Sequence, residues 1–199
     1  MRIFVALDLD QAIRERIQKF VEKICAAAPD ARWINEESLH VTLKFIGEQP
    51  DDAITQIEAS LRSIQAEPFQ VSFSGTGFFP TPRAARVFWI GIEAQDVLAR
   101  LAKAIDAALA KLGIREEDRA FSPHLTVARA RGGSGAPGRH KEDKPNRQFA
   151  KLQEFLATHA APDFGTMTAR EFFLYRSQLS SKGSQYTKIA RFELQPAIT

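Results

Sequence analysis

The stretches HVTLKFIGE (40–48) and HLTVARA (124–130) open on the same phrase, a histidine followed two residues later by a threonine. The chain has only four histidines, and two of them stand in this one pattern. A strand turns alternate side chains to opposite faces. His40 therefore shares a face with Thr42, while Val41, Leu43 and Phe45 point the other way. The second copy sets His124 with Thr126, against Leu125 and Val127. The apolar sets suit a core, which leaves each His–Thr pair on an open or cleft-facing side.

Working outward, the two phrases sit in matching surroundings. Ile3 to His40 and Val87 to His124 each span 37 residues, and the motifs lie 84 residues apart (40 to 124). A slide by that offset lays IFVALD (3–8) on VFWIGI (87–92), both reading as short buried strands. It also superposes two amphipathic helices. One buries Ile13, Ile17, Phe20, Val21 and Ile24; the other buries Leu98, Leu101, Ile105, Ala108, Leu109 and Leu112. Pro50-Asp51-Asp52 starts a further helix with Ile54, Ile57, Leu61 and Ile64 inward, the acidic pair suiting its amino end. FQVSFSG (69–75) reads as a strand, RQFAKLQEFLA (147–157) as a helix, and REFFLYRSQL (170–179) with YTKIARFEL (186–194) as a hairpin turning around Lys182-Gly183. Each half, about 1–84 and 85–199, is thus strand, helix, strand, helix, strand within one domain, and this order predicts an α+β fold.

The halves differ by one insertion, 131–147, rich in Gly, Pro and charge without apolar periodicity. It reads as an exposed loop, with His140 solvated. The composition is that of a folded protein: 44% hydrophobic and 26% charged over 199 residues. Net charge is +3 and the pI about 9.1, a mild basicity compatible with phosphate-bearing substrates. Cys25 is alone, so neither an intramolecular disulfide nor a four-cysteine zinc site can form. No run approaches the ~20 apolar residues of a membrane helix, and the first residues lack a secretory pattern. The expected location is the cytoplasm.

Two imidazoles facing each other across a gap make an acid–base couple near neutral pH, and the hydroxyls beside them can bind the oxygens of an anion. Hydrolysis of a cyclic phosphodiester wants this arrangement. A base takes a proton from water on one side of phosphorus, and an acid protonates the leaving alkoxide on the other. Competing chemistries have less support. No serine stands in a G-x-S-x-G turn and no G-x-x-x-x-G-K-[ST] occurs. Neither histidine has a carboxylate two residues away to complete a metal site. The near-symmetry of the two motifs leaves open which histidine is acid and which is base.

With these motifs and flanks the chain resembles the two-histidine phosphoesterases, and within them the RNA 2′,3′-cyclic phosphodiesterase/2′-5′ RNA ligase family. The likeness runs through RIFVALDL (2–9), RWINEESLHVTLKFIGE (32–48), RVFWIGI (86–92), FSPHLTVAR (121–129) and LYRSQLSSKGSQY (174–186). The resemblance implies two pseudo-symmetric lobes, each an antiparallel sheet flanked by helices, with the active site in the cleft between them. It implies opening of a terminal 2′,3′-cyclic phosphate of RNA to a 2′-phosphate without metal or cofactor, and a reversible 2′-5′ ligation. Carried onto this chain, His40 is the proton donor, His124 the proton acceptor, and Thr42 and Thr126 hold the phosphate oxygens.

Arg129 closes the second motif and suits a phosphate, yet strict alternation turns it away from His124, so a bulge or strand end must intervene. Phe121, just before Ser122-Pro123-His124, offers a ring either to a terminal base or to the core. Lys44 shares the face of His40 and is expected in solvent rather than on phosphate. Trp33 and Trp89 read as packing, Tyr175 and Tyr186 as strand tyrosines either of which can reach substrate, and His159 as an inert surface residue. Arg32, Arg83 and Arg86 add positive charge near strand entries, as RNA favours. The expected partner is RNA with a cyclic phosphate end, with no metal and no membrane, bound by a monomer. Two other readings stay open: a phosphodiesterase for small cyclic nucleotides or 2′-5′ oligonucleotides, and a non-catalytic RNA-binding module.

Overall fold

The computed structural model describes residues 1–131, 145–180 and 183–195. Most of the predicted insertion, His140 included, and Lys182 of the predicted turn lie outside the described residues. The elements in chain order are β1 (Arg2–Leu7), α1 (Gln11–Ile24), β2 (Arg32–Trp33), β3 (Val41–Glu48), α2 (Ile54–Arg62), β4 (Phe69–Phe79), β5 (Val87–Glu93), α3 (Val97–Ala110), β6 (His124–Arg129), α4 (Ala150–Ala157), β7 (Asp163–Ala169), β8 (Glu171–Ser180) and β9 (Gly183–Glu193). They build two antiparallel sheets, β3-β1-β8-β9 and β2-β6-β5-β4-β7.

The sheets do not divide the chain at its middle. β4, from the first half, crosses to pair with β5 and β7, while β8 and β9, from the end of the chain, join β1. The helices cross as well. Arg16 of α1 donates to the Phe164 carbonyl of β7 (3.1 Å), and Phe20 meets Phe164 edge-on at 5.2 Å. α3, in turn, lies against β3. One continuous apolar cluster consequently runs through both sheets, from Ile3, Val5 and Leu7 of β1 to Phe88, Ile90 and Leu125 of β5 and β6. Phe4, Phe73, Phe88, Phe149 and Phe172 are fully buried, which accounts for much of the phenylalanine load. Each such ring contributes about 1.5–3 kcal/mol by burial.

β1 is buried on both faces. Its odd residues enter the main core, while Phe4 and Ala6 join Phe173 and Tyr175 in a small cluster on the opposite face of the sheet. Leu112 was expected on the inner face of α3 and is instead 40% exposed. The helix stops at Ala110, and Gly113, at φ +78°, reverses the chain so that Ile114 packs in its place. α4 begins at Ala150, three residues later than its apolar spacing predicts, although Phe149 is still fully buried. Among the described residues no helix is long and apolar enough to cross a membrane.

Candidate active site

β3 forms an edge of the first sheet, and it lies against β6 of the second. The two His–Thr motifs therefore meet where the sheets meet. His40 and Thr42 line one narrow cleft together with His124, Thr126 and Arg129. Its cavity volume is about 40 Å³. At roughly 10–15 Å³ for one water, that is room for about three waters, the scale of a phosphate group. A larger open groove of about 360 Å³, between α2 and the end of β9, carries no histidine.

The same backbone device acts in both motifs. Val5 pairs with Lys44 but Ala6 with Thr42, so Leu43 is an extra residue in β3. Phe88 pairs with Ala128 but Trp89 with Thr126, so Val127 is extra in β6. Each bulge follows its threonine and inverts the alternation beyond it. Arg129 is thereby brought into the cleft, as phosphate binding by this residue requires.

In β3 the same inversion corrects two expectations. Phe45 is not a core residue: it is 60% exposed and lines the cleft. Lys44 is neither solvated nor near the cleft, but 5% exposed on the core side. Its ammonium donates to the Asp106 carboxylate of α3 and to the Arg115 carbonyl (2.6 Å). Asp106 also accepts from the Glu117 amide at 3.0 Å, tying β3 to the loop that leads toward His124.

The histidines are held alike and surrounded differently. His40 Nδ1 lies 2.8 Å from the Ser38 carbonyl, and His124 Nδ1 lies 2.8 Å from the Ser122 carbonyl. A carbonyl only accepts, so Nδ1 carries the proton in each neutral ring and Nε2 is left as the free base. His40 rests on Phe4 (4.7 Å), with the Tyr186 ring edge-on at 5.0 Å and Tyr175 at 6.0 Å. His124 has one such neighbour, Phe79, edge-on at 4.9 Å.

Burial lowers both pKa values. His40 falls to about 4, chiefly by loss of hydration; the hydrogen bond to Ser38 opposes the shift and Arg129 adds to it. His124 is lowered by burial and by Arg129, against its bond to Ser122. With both rings neutral at pH 7, Arg129 is the charged group of the cleft lining, and a phosphodiester anion entering there meets a cation and two uncharged imidazoles.

Of the other candidates, Tyr186 lines the cleft, while Tyr175 stacks on Phe4 at 5.1 Å and burial pushes its phenol up. Phe121 packs against the core and is absent from the cleft lining. Trp33 donates to the Ala28 carbonyl (3.1 Å) and packs on Phe88. Trp89 lies over Gly77, where a Cβ would fall 2.1 Å from the indole ring. His159 stacks on Phe155 at 3.9 Å, far in sequence from either motif.

Sequence comparison converges on this geometry. Residues 9–170 match the family model of the 2′-5′ RNA ligase superfamily. The chain is 34% identical to the RNA 2′,3′-cyclic phosphodiesterase of Archaeoglobus fulgidus, over 97% of this chain and 100% of that protein. It is 33% identical to the enzyme of the same name from Methanothermobacter thermautotrophicus, over 98% and 99%. A crystal structure from Thermus thermophilus superposes with a TM-score of 0.78 at 26% identity over the whole of both chains. LigT of E. coli in complex with 3′-AMP shares the fold, with a TM-score of 0.76 at 24% identity over 98% of each chain. On the family match and these relatives, the chain belongs to the 2′-5′ RNA ligase superfamily.

Proposed function

We propose that the protein is an RNA 2′,3′-cyclic phosphodiesterase that opens a terminal cyclic phosphate to a 2′-phosphate by acid–base catalysis between His40 and His124. The reading rests on one observation above all: two imidazoles with matched backbone hydrogen bonds share a phosphate-sized cleft with a single arginine. The family relatives named for this reaction support it.

The anion is held by Arg129 and by the hydroxyls of Thr42 and Thr126. His124 Nε2 takes a proton from water as the water oxygen bonds to phosphorus. The P–O3′ bond breaks on the opposite side, and His40, protonated at Nε2, gives its proton to the departing oxygen. The products are a 2′-phosphomonoester and a free 3′-hydroxyl, with the proton moved from His40 to His124. Run backwards with a 5′-hydroxyl in place of water, the same steps make a 2′-5′ linkage. Among the described residues the cleft lining offers an anion the Arg129 cation and two hydroxyls, and offers a metal two imidazoles without a carboxylate, so in this reading the reaction proceeds without a metal. The described cleft lining comes from one chain, in keeping with a monomer, and a sequence with one cysteine makes no use of an oxidising compartment, in keeping with the cytoplasm.

The test is turnover of an RNA oligonucleotide ending in a 2′,3′-cyclic phosphate, in EDTA, by the wild type and by His40→Ala and His124→Ala. Conversion to the 2′-phosphate that survives chelation and needs both histidines is the expected result. A 3′-phosphate product, activity lost to EDTA, or binding without turnover would each overturn the reading.

A further inference from the structure

The end of β6 is surrounded by arginines that have no acidic partner among the described residues. Arg32, Arg83, Arg86, Arg131 and Arg147 are all exposed. Among the described residues none of the five makes an ion pair. Exposed Arg100, Arg115 and Arg191 pair with Asp96, Asp118 and Glu171, while among the described residues Arg2, Arg16, Arg119 and Arg170 are unpaired like the five, so it is the clustering that sets the five apart.

The five are also one neighbourhood. Arg32 of β2 pairs in register with Arg129, and its charge helps depress the Arg129 guanidinium. The Arg86 carbonyl accepts from the Ala130 amide at 2.8 Å, next to Arg131. The Gln148 side chain bridges the Arg131 amide and carbonyl at 2.9 and 3.0 Å, and the Asn146 amide beside Arg147 donates to the Arg83 carbonyl at 3.0 Å. Among the described residues these like charges are gathered without a paired counter-charge, an arrangement that attracts a polyanion. Arg129, in the phosphate cleft, continues the strip into the site.

We propose that these arginines are a track for the phosphates of an RNA strand whose cyclic end occupies the cleft, so that the preferred substrate is an oligonucleotide and not a mononucleotide. This rests on the catalytic reading above and extends it to the substrate's length. The cleft is narrow, on the scale of a phosphate group, and the surface beyond it on the Arg129 side is basic, where a strand leaving the cleft would run.

Each phosphate neutralised along a single strand steepens the dependence of log K on log salt by about 0.7. Removing three arginine–phosphate pairs flattens it by about 2, so a fourfold rise in salt costs the variant about twentyfold less. The experiment compares wild type, Arg83→Ser/Arg86→Ser/Arg147→Ser and the corresponding triple lysine variant. Each is given a nucleoside 2′,3′-cyclic phosphate and oligonucleotides of about 4–16 nucleotides with the same end, a range matching single-strand site sizes. Binding of the 3′-phosphorylated oligonucleotide is followed in parallel by fluorescence anisotropy.

The expected result is that kcat/KM rises with length in the wild type and falls steeply with salt. The serine variant, with Arg32, Arg129 and Arg131 still in place, shows a weaker length effect and a salt slope flatter by about 2 while keeping mononucleotide turnover, and the lysine variant retains the salt slope. A wild type indifferent to length, or a serine variant with an unchanged salt slope, overturns the track and leaves the catalytic reading intact. Absence of turnover on every substrate, with anisotropy that still depends on the arginines, overturns the catalytic reading and supports the track.

Discussion

Raising the pH should reduce kcat/KM for the cyclic phosphate well before it reduces kcat. The proposed mechanism needs one proton on the histidine pair, and kcat/KM reports the free enzyme. Both pKa values lie below the ordinary 6.5 in the empty site, His40 at about 4. The singly protonated pair is lost as pH rises through the higher of the two values. kcat/KM should therefore fall tenfold per unit above pH 6.5, whichever histidine is the acid. In the complex the substrate adds a negative charge. At about 4 Å and an effective dielectric constant of about 20, it stabilises an imidazolium by about 4 kcal/mol, or about 3 pKa units. That moves His40 from about 4 toward 7, and the alkaline limb of kcat should lie correspondingly higher. Arg129→Gln removes a cation that depresses both rings, so its kcat/KM limb should shift to higher pH although its activity drops by about 10²–10³. The assay is steady-state turnover from pH 5 to 9 at constant ionic strength. A kcat/KM flat from pH 6.5 to 8, or limbs that coincide in the two profiles, would refute the electrostatics argued here.

Stability should respond to pH through the same residue. A folded pKa of about 4 against 6.5 unfolded means that the unfolded chain takes up the proton first as pH falls, so stability is full above 6.5 and declines by about 3 kcal/mol down to pH 4. Urea titrations should show His40→Gln with a shallower decline over that window. Asp106→Ala strands the buried Lys44 ammonium and should cost about 3–5 kcal/mol, whereas Lys44→Met/Asp106→Leu should cost much less; equal losses in the two would argue against a desolvated pair. Phe45→Ala, at an exposed cleft ring, should lower kcat/KM for a nucleotide by about 5- to 150-fold, the range of a lost base stack, with little change in denaturation midpoint. Phe121→Ala should do the reverse, losing stability while sparing kcat/KM.

What the chain discloses locally and what it conceals follow from range. The paired His-x-Thr phrases, the helices with Ile13-Ile17 and Leu101-Ile105 inward, and the terminal hairpin are set by near neighbours, and their patterns are regular. β7 escaped because its alternation is broken: at Gly165, φ +91°, Phe164 is an extra residue against β4, so buried Phe164 falls out of the period of two that Met167 and Ala169 keep. The exchange of β4, β8 and the helices between sheets depends on pairings across most of the chain, for which no short window holds a signal. Phe45 was within reach. Arg129 needed a bulge to face phosphate, and Phe45 stands at the equivalent position 84 residues earlier, so one inference applied to both copies would have placed it.

The repeat that reveals the histidines also hides their order, and the two sites differ in depth. His40 sits against three rings and His124 against one, so in the empty site the deeper imidazole gives up its proton first. Taken alone, that makes His40 a poor acid and runs against its proposed role as donor. The drier site is also the one where an added charge is screened least, so the arriving phosphate raises the pKa of His40 more than that of the opener His124. In the proposed mechanism the proton then sits on His40 and the free base on His124. On this reasoning the acid and base are not written into either motif. They are set by the unequal burial of two equal motifs and by the charge of the substrate itself, which brings the proton to its donor only when there is a bond to break.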